Sequence, residues 1–299
     1  MLELIKIRVL RWMIRIAVKI KWRGKVDASV RVENINVGSG AKPIPARTYK
    51  PKDASGPLPL MLFFHGGGWV GFDVDTHDPL CRDLCGRTGH LVVSIDYRLA
   101  PEHPFPAGVN DCLEALDWLI VNAERLGGNP NQIVICGDSA GGNLAAVVAL
   151  QARTRHPGAL KGQVLIYPVT DHVSSQWPSY ASYGGKEYPL TREGVAEIWR
   201  WYVQGSKEWR NGQTSHDLAT PYRVKDVSGL PRTLVLIADE DLLRDEGIAY
   251  ADRMKEAGVD VKTAIFPKQK HGFVGTEPSP AHDQAILEIS QWISKDVRA

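Results

Sequence analysis

The residues that could do chemistry gather around one serine. In the stretch CGDSAGGN, Cys136 to Asn143, Ser139 lies between Gly137 and Gly141 at G-x-S-x-G spacing. Gly, Asp and Ser are common turn residues, so five small residues by themselves specify no more than a bend. The surroundings say more. Ser139 follows the apolar run NQIVIC and precedes GGNLAAVVAL, which reads as a helix. A strand–turn–helix frame of this kind is what presents a serine hydroxyl as a nucleophile. Flanking glycines let the backbone bend without a Cβ clash, and the helix N-terminus favours negative charge beside the Oγ. The run LMLFF likewise ends in HGGGW, His65 to Trp69. Three consecutive glycines can be a plain flexible loop. After a strand they can also offer bare N–H groups to a tetrahedral oxyanion, where each fixed donor lowers the barrier by about 3–4 kcal/mol. Gly66, Gly67 and the N–H of Ala140 are the expected donors.

A serine nucleophile needs a base and a group that orients it. His271, in KQKHGF, follows the run VKTAIF and precedes the last helical stretch, the slot that the chain order Ser…Asp/Glu…His requires. The other histidines have poorer contexts: His65 in the glycine loop, His103 among prolines, His282 in a helix. His77, His90, His156, His172 and His216 lie in turn-like or polar stretches. After the run TLVLI the chain reads ADEDLLRDEG and offers Asp239, Glu240, Asp241 and Asp245 as acids. Spacing does not choose among them. Asp245 and Glu246 also suit the first turn of the next helix, where the dipole favours carboxylates.

These residues need a scaffold, and the pattern supplies one. Short apolar runs at Leu60–Phe64, Leu91–Ile95, Ile133–Cys136, Gly162–Tyr167, Thr233–Ile237 and Val261–Phe266 alternate with helical stretches. The stretches are Thr76–Thr88, Gly108–Leu126, Gly142–Thr154, Arg244–Ala257 and Ala281–Ser294. Apolar runs alternating with helices predict an α/β fold whose parallel sheet is covered on both faces. Ahead of them, Val30–Val37 alternates like a half-exposed strand, with Pro43–Tyr49 as its hairpin partner. Between Tyr167 and Thr233 the chain is far longer than a strand–helix connection needs. Within that insertion, Thr191–Gln204 reads as a helix with Thr191 as N-cap and Gly194 as a weak point. Placed over the carboxyl ends of the strands, the insertion would sit where such sheets bind ligands.

The N-terminus is a different kind of segment. Leu2, Ile5, Val9, Trp12, Met13, Ile16 and Ile20 recur at helical spacing, and Arg8, Arg11, Arg15 and Lys19 form a stripe on the other side. This predicts an amphipathic helix packed on the protein body with its charged stripe in water. Peripheral contact with a membrane through the basic face is the alternative. No apolar run approaches the roughly 18 residues of a membrane span.

The 299 residues are 43% hydrophobic and 23% charged, the profile of a globular chain with an ample core. A net charge of +2 gives no reason to expect a nucleic-acid partner. Cys81, Cys85, Cys112 and Cys136 form no C-x-x-C pair and no zinc-spaced cluster, which points to reduced thiols in a cytoplasmic protein without a metal site.

Through HGGGWVGFD, SIDYRLAPEHPFPAGVND, ICGDSAGGNLAA, DLLRDEG and KHGF, the chain resembles the hormone-sensitive-lipase branch of the α/β-hydrolase fold, which includes the bacterial family IV carboxylesterases. The resemblance implies a mostly parallel central sheet with helices on both faces and a helical cap. Its acid is the aspartate of a D-P-L-x-D-E-G motif, which carries onto Asp241, with Leu242 where proline is usual. Ser139 becomes the nucleophile, His271 the general base and then acid, and Gly66, Gly67 and Ala140 the oxyanion donors. No cofactor or metal is implied, and the expected partner is a small-molecule ester with a short-to-medium acyl chain. The cap would combine residues 1–40, which also lead into the sheet, with an insertion at about 175–215 in a catalytic body spanning 41–299. Trp177, Trp199 and Trp201 would then line an acyl pocket, and Arg98 and Glu102 would brace the loop beneath the site. A triad-bearing small-molecule receptor, a peripheral lipase and an amidase share these residues. A homodimer is compatible with them too.

Overall fold

A computed structural model describes residues 2–38, 40 and 42–294, with side chains from residue 4 onward. The side chain of Leu2, together with Ala41 and residues 295–299 of the expected 41–299 body, lies outside the described residues. Eight strands form one sheet: β1 (Val30–Val37), β2 (Ile44–Pro51), β3 (Leu58–Phe64), β4 (Leu91–Ile95), β5 (Gly128–Asp138), β6 (Leu160–Ile166), β7 (Thr233–Glu240) and β8 (Val261–Lys270). Their order is β1-β2-β4-β3-β5-β6-β7-β8. The β1–β2 hairpin is antiparallel and meets β4 antiparallel, while all pairings from β4 to β8 are parallel.

The central runs are apolar throughout because both of their faces are covered. Leu60, Leu62, Phe64, Ile133 and Ile135 face α3 (Ala107–Leu126), α4 (Ala140–Arg155) and α7 (Arg244–Glu256) in one core. Met61, Phe63, Val134 and Cys136 face α2 (Asp78–Thr88) and α8 (Pro280–Ser294) in the other. The helix α4 is buried along most of its length, which explains why GGNLAAVVAL carries no polar face. All four cysteines are buried and unpaired.

The insertion between β6 and β7 contains α5 (Pro178–Ser182) and α6 (Arg192–Val203). Thr191 caps α6 by accepting the Gly194 N–H at 3.0 Å. Gly194 is therefore less a weak point than the donor of the cap, and a Cβ there would stand 3.0 Å from the Thr191 hydroxyl.

The N-terminal helix α1 (Leu2–Lys21) forms, but it is turned opposite to expectation. Trp12 and Ile20 are 62% and 68% exposed, whereas Ile7, Val18 and Trp22 are buried. Arg11 and Arg15 point inward. Arg11 holds Glu102 through two nitrogens, at 3.0 and 2.9 Å, and donates to the carbonyls of Val70 and Ala100. Arg15 donates to Asp73 at 2.9 Å. The body beneath α1 presents two carboxylates and two carbonyls that need donors. Leaving such acceptors unpaired on burial costs more than leaving leucine-sized groups in water. The helix packs on the body as expected, but its expected apolar face meets water, and of the basic stripe Arg11 is largely covered while Arg8, Arg15 and Lys19 stay exposed.

Beside the site, Glu246 is fully enclosed and accepts hydrogen bonds from the N–H groups of Thr170 (2.7 Å) and Asp171 (3.2 Å) and from the Tyr180 hydroxyl. Burial pushes its carboxyl up to about 8, against those hydrogen bonds. In the unfolded chain the same group ionises near 4.5. Between those values the unfolded chain releases a proton that the folded chain keeps, so stability declines as pH rises from about 4.5 to about 8 and then levels. In Glu246→Gln, melting temperature relative to wild type should therefore climb across this window. A constant difference in melting temperature would contradict the assignment.

Candidate active site

Ser139 lies in the bend between β5 and α4, with φ 54° and ψ −118°. This is a strained backbone for a residue with a side chain, at a typical cost of about 1–3 kcal/mol. Its surroundings enforce it. A Cβ on Gly141 would stand 2.0 Å from the Phe64 carbonyl oxygen, and one on Gly137 would stand 2.3 Å from the Gly141 oxygen. The bend is thus too close to the end of β3 for any residue but glycine. Ser139 N–H donates to the Ile166 carbonyl (2.8 Å), and its own carbonyl accepts from Asn143 (3.0 Å), which anchors the bend to β6 and α4.

His271 follows β8, and Asp241 follows β7. The Ser139 Oγ lies 2.9 Å from His271 Nε2, and Asp241 Oδ2 lies 2.7 Å from His271 Nδ1. In the tautomer that satisfies both contacts, Ser139 donates to Nε2 and Nδ1–H donates to the carboxylate. Asp241 is almost wholly buried, and its Oδ1 accepts the Leu243 N–H at 3.0 Å. The three side chains expected from the sequence therefore meet in one chain of hydrogen bonds at the carboxyl ends of β5, β7 and β8. The other acids go elsewhere. Asp239 lies near Arg244, while Asp245 accepts the Ser179 N–H (2.7 Å) and an Arg244 nitrogen (2.8 Å).

The glycine loop corrects one expected donor. The N–H of Gly66 is already donated to Asp138 Oδ1, at 2.8 Å, and a Gly66 Cβ would stand 2.3 Å from Asp138 Oδ2. Gly66 therefore anchors the loop and does not present its N–H to the site. Gly67 and Gly68 line the cavity in front of Ser139, and among the described residues neither N–H has a partner. Sequence reasoning passed over Gly68, because three equal glycines give no signal for which N–H is taken.

Asp138 had no role in the sequence reading, and His77, set aside there as lying in a turn-like or polar stretch, has one in the structure. Asp138 Oδ1 lies 3.0 Å from His77 Nε2 as well as near Gly66 N–H. Burial alone would push the Asp138 carboxyl up, but His77 and the hydrogen bonds more than offset it and hold it below its ordinary range. His65 packs beside this pair, stacked on Tyr97 with ring centroids 4.3 Å apart. Burial, aided by His77, pushes its imidazole down to about 4, so it is neutral. The sequence clue was Asp138 itself, a charged residue immediately before the serine and at the end of a buried strand.

In front of Ser139 and His271 is a cavity of about 470 Å³ with a mostly apolar wall. Ile7, Ile14 and Val18 of α1 line one side, and Ile198, Trp199 and Trp201 of α6 another. Trp177 does not reach it: its indole N–H donates to Asp171 at 3.2 Å and its ring packs on Tyr222. Arg98 grips Asp111 and the Ala107 carbonyl, while Glu102 fastens α1, so neither lines the cavity.

If Asp138 positions the glycine loop, Asp138→Ala should lower kcat by about a hundredfold, the scale of losing one fixed donor, and leave KM little changed. Asp138→Asn, which keeps an acceptor for the Gly66 N–H, should retain most of the rate. Equal losses in the two variants would contradict a positioning role.

A family model described as the alpha/beta hydrolase fold matches residues 61–275. Carboxylesterase NlhH of Mycobacterium tuberculosis is 40% identical over 82% of this chain and 76% of the relative. Ethyl acetate hydrolase of Pseudomonas putida is 34% identical over 84% and 78%. Among solved structures, a Pyrobaculum calidifontis esterase superposes with a TM-score of 0.91 at 38% identity, covering 98% of this chain and 94% of that one. By the extent of these matches and by its own sheet and site, the chain belongs to the α/β-hydrolase family.

Proposed function

We propose that the protein is a serine carboxylesterase acting on short-to-medium acyl esters. The observation that carries the reading is the Ser139–His271–Asp241 chain of hydrogen bonds opening on an apolar cavity. The esterase descriptions of its relatives support it. Ser139 Oγ attacks the ester carbonyl carbon while His271 Nε2 takes the hydroxyl proton. Asp241 holds the imidazole in the tautomer that leaves Nε2 free and balances the imidazolium that forms. The tetrahedral oxyanion is received by the N–H groups of Gly67, Gly68 and Ala140, a set amended by the occupied N–H of Gly66. The imidazolium protonates the departing alcohol, leaving an acyl-enzyme. Water activated by the same histidine then releases the acid.

The helix α1 and residues 175–215 act as the cap over the catalytic body, a role supported by the cavity walls they contribute. A cavity of about 470 Å³ suits an acyl chain of modest length better than a long one. The four buried free thiols fit a reducing, cytoplasmic setting.

Hydrolysis of p-nitrophenyl esters from acetyl to palmitoyl, wild type against Ser139→Ala, tests the reading. Short and medium chains should be turned over, with a drop of roughly a million-fold in the variant, the scale known for the nucleophile of another serine hydrolase. Activity unchanged by the substitution, or absent at every chain length, would overturn it.

A further inference from the structure

The outward face of α1 is apolar and uncovered. Ile5, Val9, Trp12, Met13, Ile16 and Ile20 recur along it at helical spacing, and each is exposed. Away from α1, large exposed apolar side chains occur singly, as at Val121 and Leu287. A contiguous patch of this kind marks a surface that meets something. The opposite face is committed to the protein: Arg11 to Glu102, Arg15 to Asp73, and the Trp22 indole N–H to the Gly275 carbonyl. The stripe therefore faces away from the body while the helix stays docked.

The charge beside the stripe says what it meets. Lys6 and Lys19 flank it on the helix surface, and Arg23 and Lys25 follow just beyond its end. All four are exposed, and among the described residues none has an ion-pair partner. From Leu4 to Val26 there is no Asp or Glu. A second copy laid on this face would bring the cationic edges of two such segments together, with no carboxylate of residues 4–26 between them. An anionic lipid surface satisfies both features, since the apolar stripe enters the headgroup–acyl boundary while the lysines meet phosphate groups. No helix among the described residues is long and apolar enough to cross a membrane, so the geometry is one of lying on the surface.

We propose that α1 is an interfacial helix that seats the protein on an anionic lipid surface. Its inner face, through Ile7, Ile14 and Val18, is a wall of the cavity that holds Ser139. The seated helix therefore puts that cavity directly behind the contact layer. The inference goes beyond the esterase reading and stands independently of it, because it concerns binding and not turnover.

Co-sedimentation of the full chain with vesicles tests it. Equimolar phosphatidylcholine–phosphatidylglycerol vesicles should pellet the wild type at least about tenfold more strongly than phosphatidylcholine alone. Raising salt from 0.1 to 1 M shortens the screening length from about 10 to about 3 Å and should weaken the binding. Trp12→Glu/Ile16→Glu, at two positions that do not line the cavity, should abolish pelleting while circular dichroism and melting temperature stay those of the wild type. Lys6→Gln/Lys19→Gln should reduce the preference for anionic vesicles and keep the fold. A wild type that does not pellet, or charge-reversed stripe variants that pellet equally, would overturn the proposal. So would a wild-type dimer in light scattering that the Glu variant dissociates without any lipid affinity, which would make the stripe an interface between copies.

Discussion

The close approach of the Ser139 bend to the end of β3 governs this site. The bend at Ser139 presses against the last residues of β3 so tightly that Gly137 and Gly141 have no room for a Cβ. That pressure holds the serine at φ 54° and aims its Oγ at His271. A strained residue persists only where its surroundings over-determine it. Here they do so through the parallel pairing of β3, β5 and β6, which is itself fixed by apolar runs buried on both faces. The route from sequence to chemistry therefore runs through sheet register. A slip of β5 against β3 would move the nucleophile out of line with the glycine loop.

Around that bend the protein gives each buried carboxyl group its own donors. Asp138 is held ionised by His77 and by the Gly66 N–H, and Asp241 is enclosed with His271 and the Leu243 N–H. Each carboxylate gains a donor from a neighbouring loop, so the electrostatics that make burial tolerable also tie the site's loops to one another. Glu246 follows a different course: with no cation against it, burial pushes its carboxyl up to about 8 and it serves as a neutral hydrogen-bonding brace behind β6. Carboxyl groups take opposite roles here because desolvation wins at Glu246, which no imidazole faces among the described residues, and loses at Asp138, which His77 faces.

Much of this was legible in the chain. Alternating apolar runs and helices gave the parallel sheet, because the inner parts of β3, β5 and β6 (residues 60–64, 133–136 and 164–166) are continuously apolar. Ser139 and His271 were readable because each follows a strand in an order that the fold imposes, whereas Asp241 was separated from its acidic neighbours only by the family resemblance. What stayed hidden depends on through-space partners. Nothing along the sequence says that the Gly66 N–H is taken by Asp138 or that His77 faces that carboxylate. Likewise, helical periodicity located the two faces of α1 but not which one meets the body. That choice was made by Glu102 and Asp73, which lie far along the chain from Arg11 and Arg15.

The central claim is that the fold makes Ser139 a nucleophile, and a suicide phosphorylation tests it most directly. Diethyl p-nitrophenyl phosphate presents an electrophilic phosphorus that the Ser139 Oγ can attack, expelling p-nitrophenolate and forming a stable phosphoryl ester. Intact-mass measurement followed by peptide mapping should find one diethylphosphoryl group, on Ser139, and none when His271 is replaced by alanine. An unmodified protein, or a label on any other residue, would contradict the account.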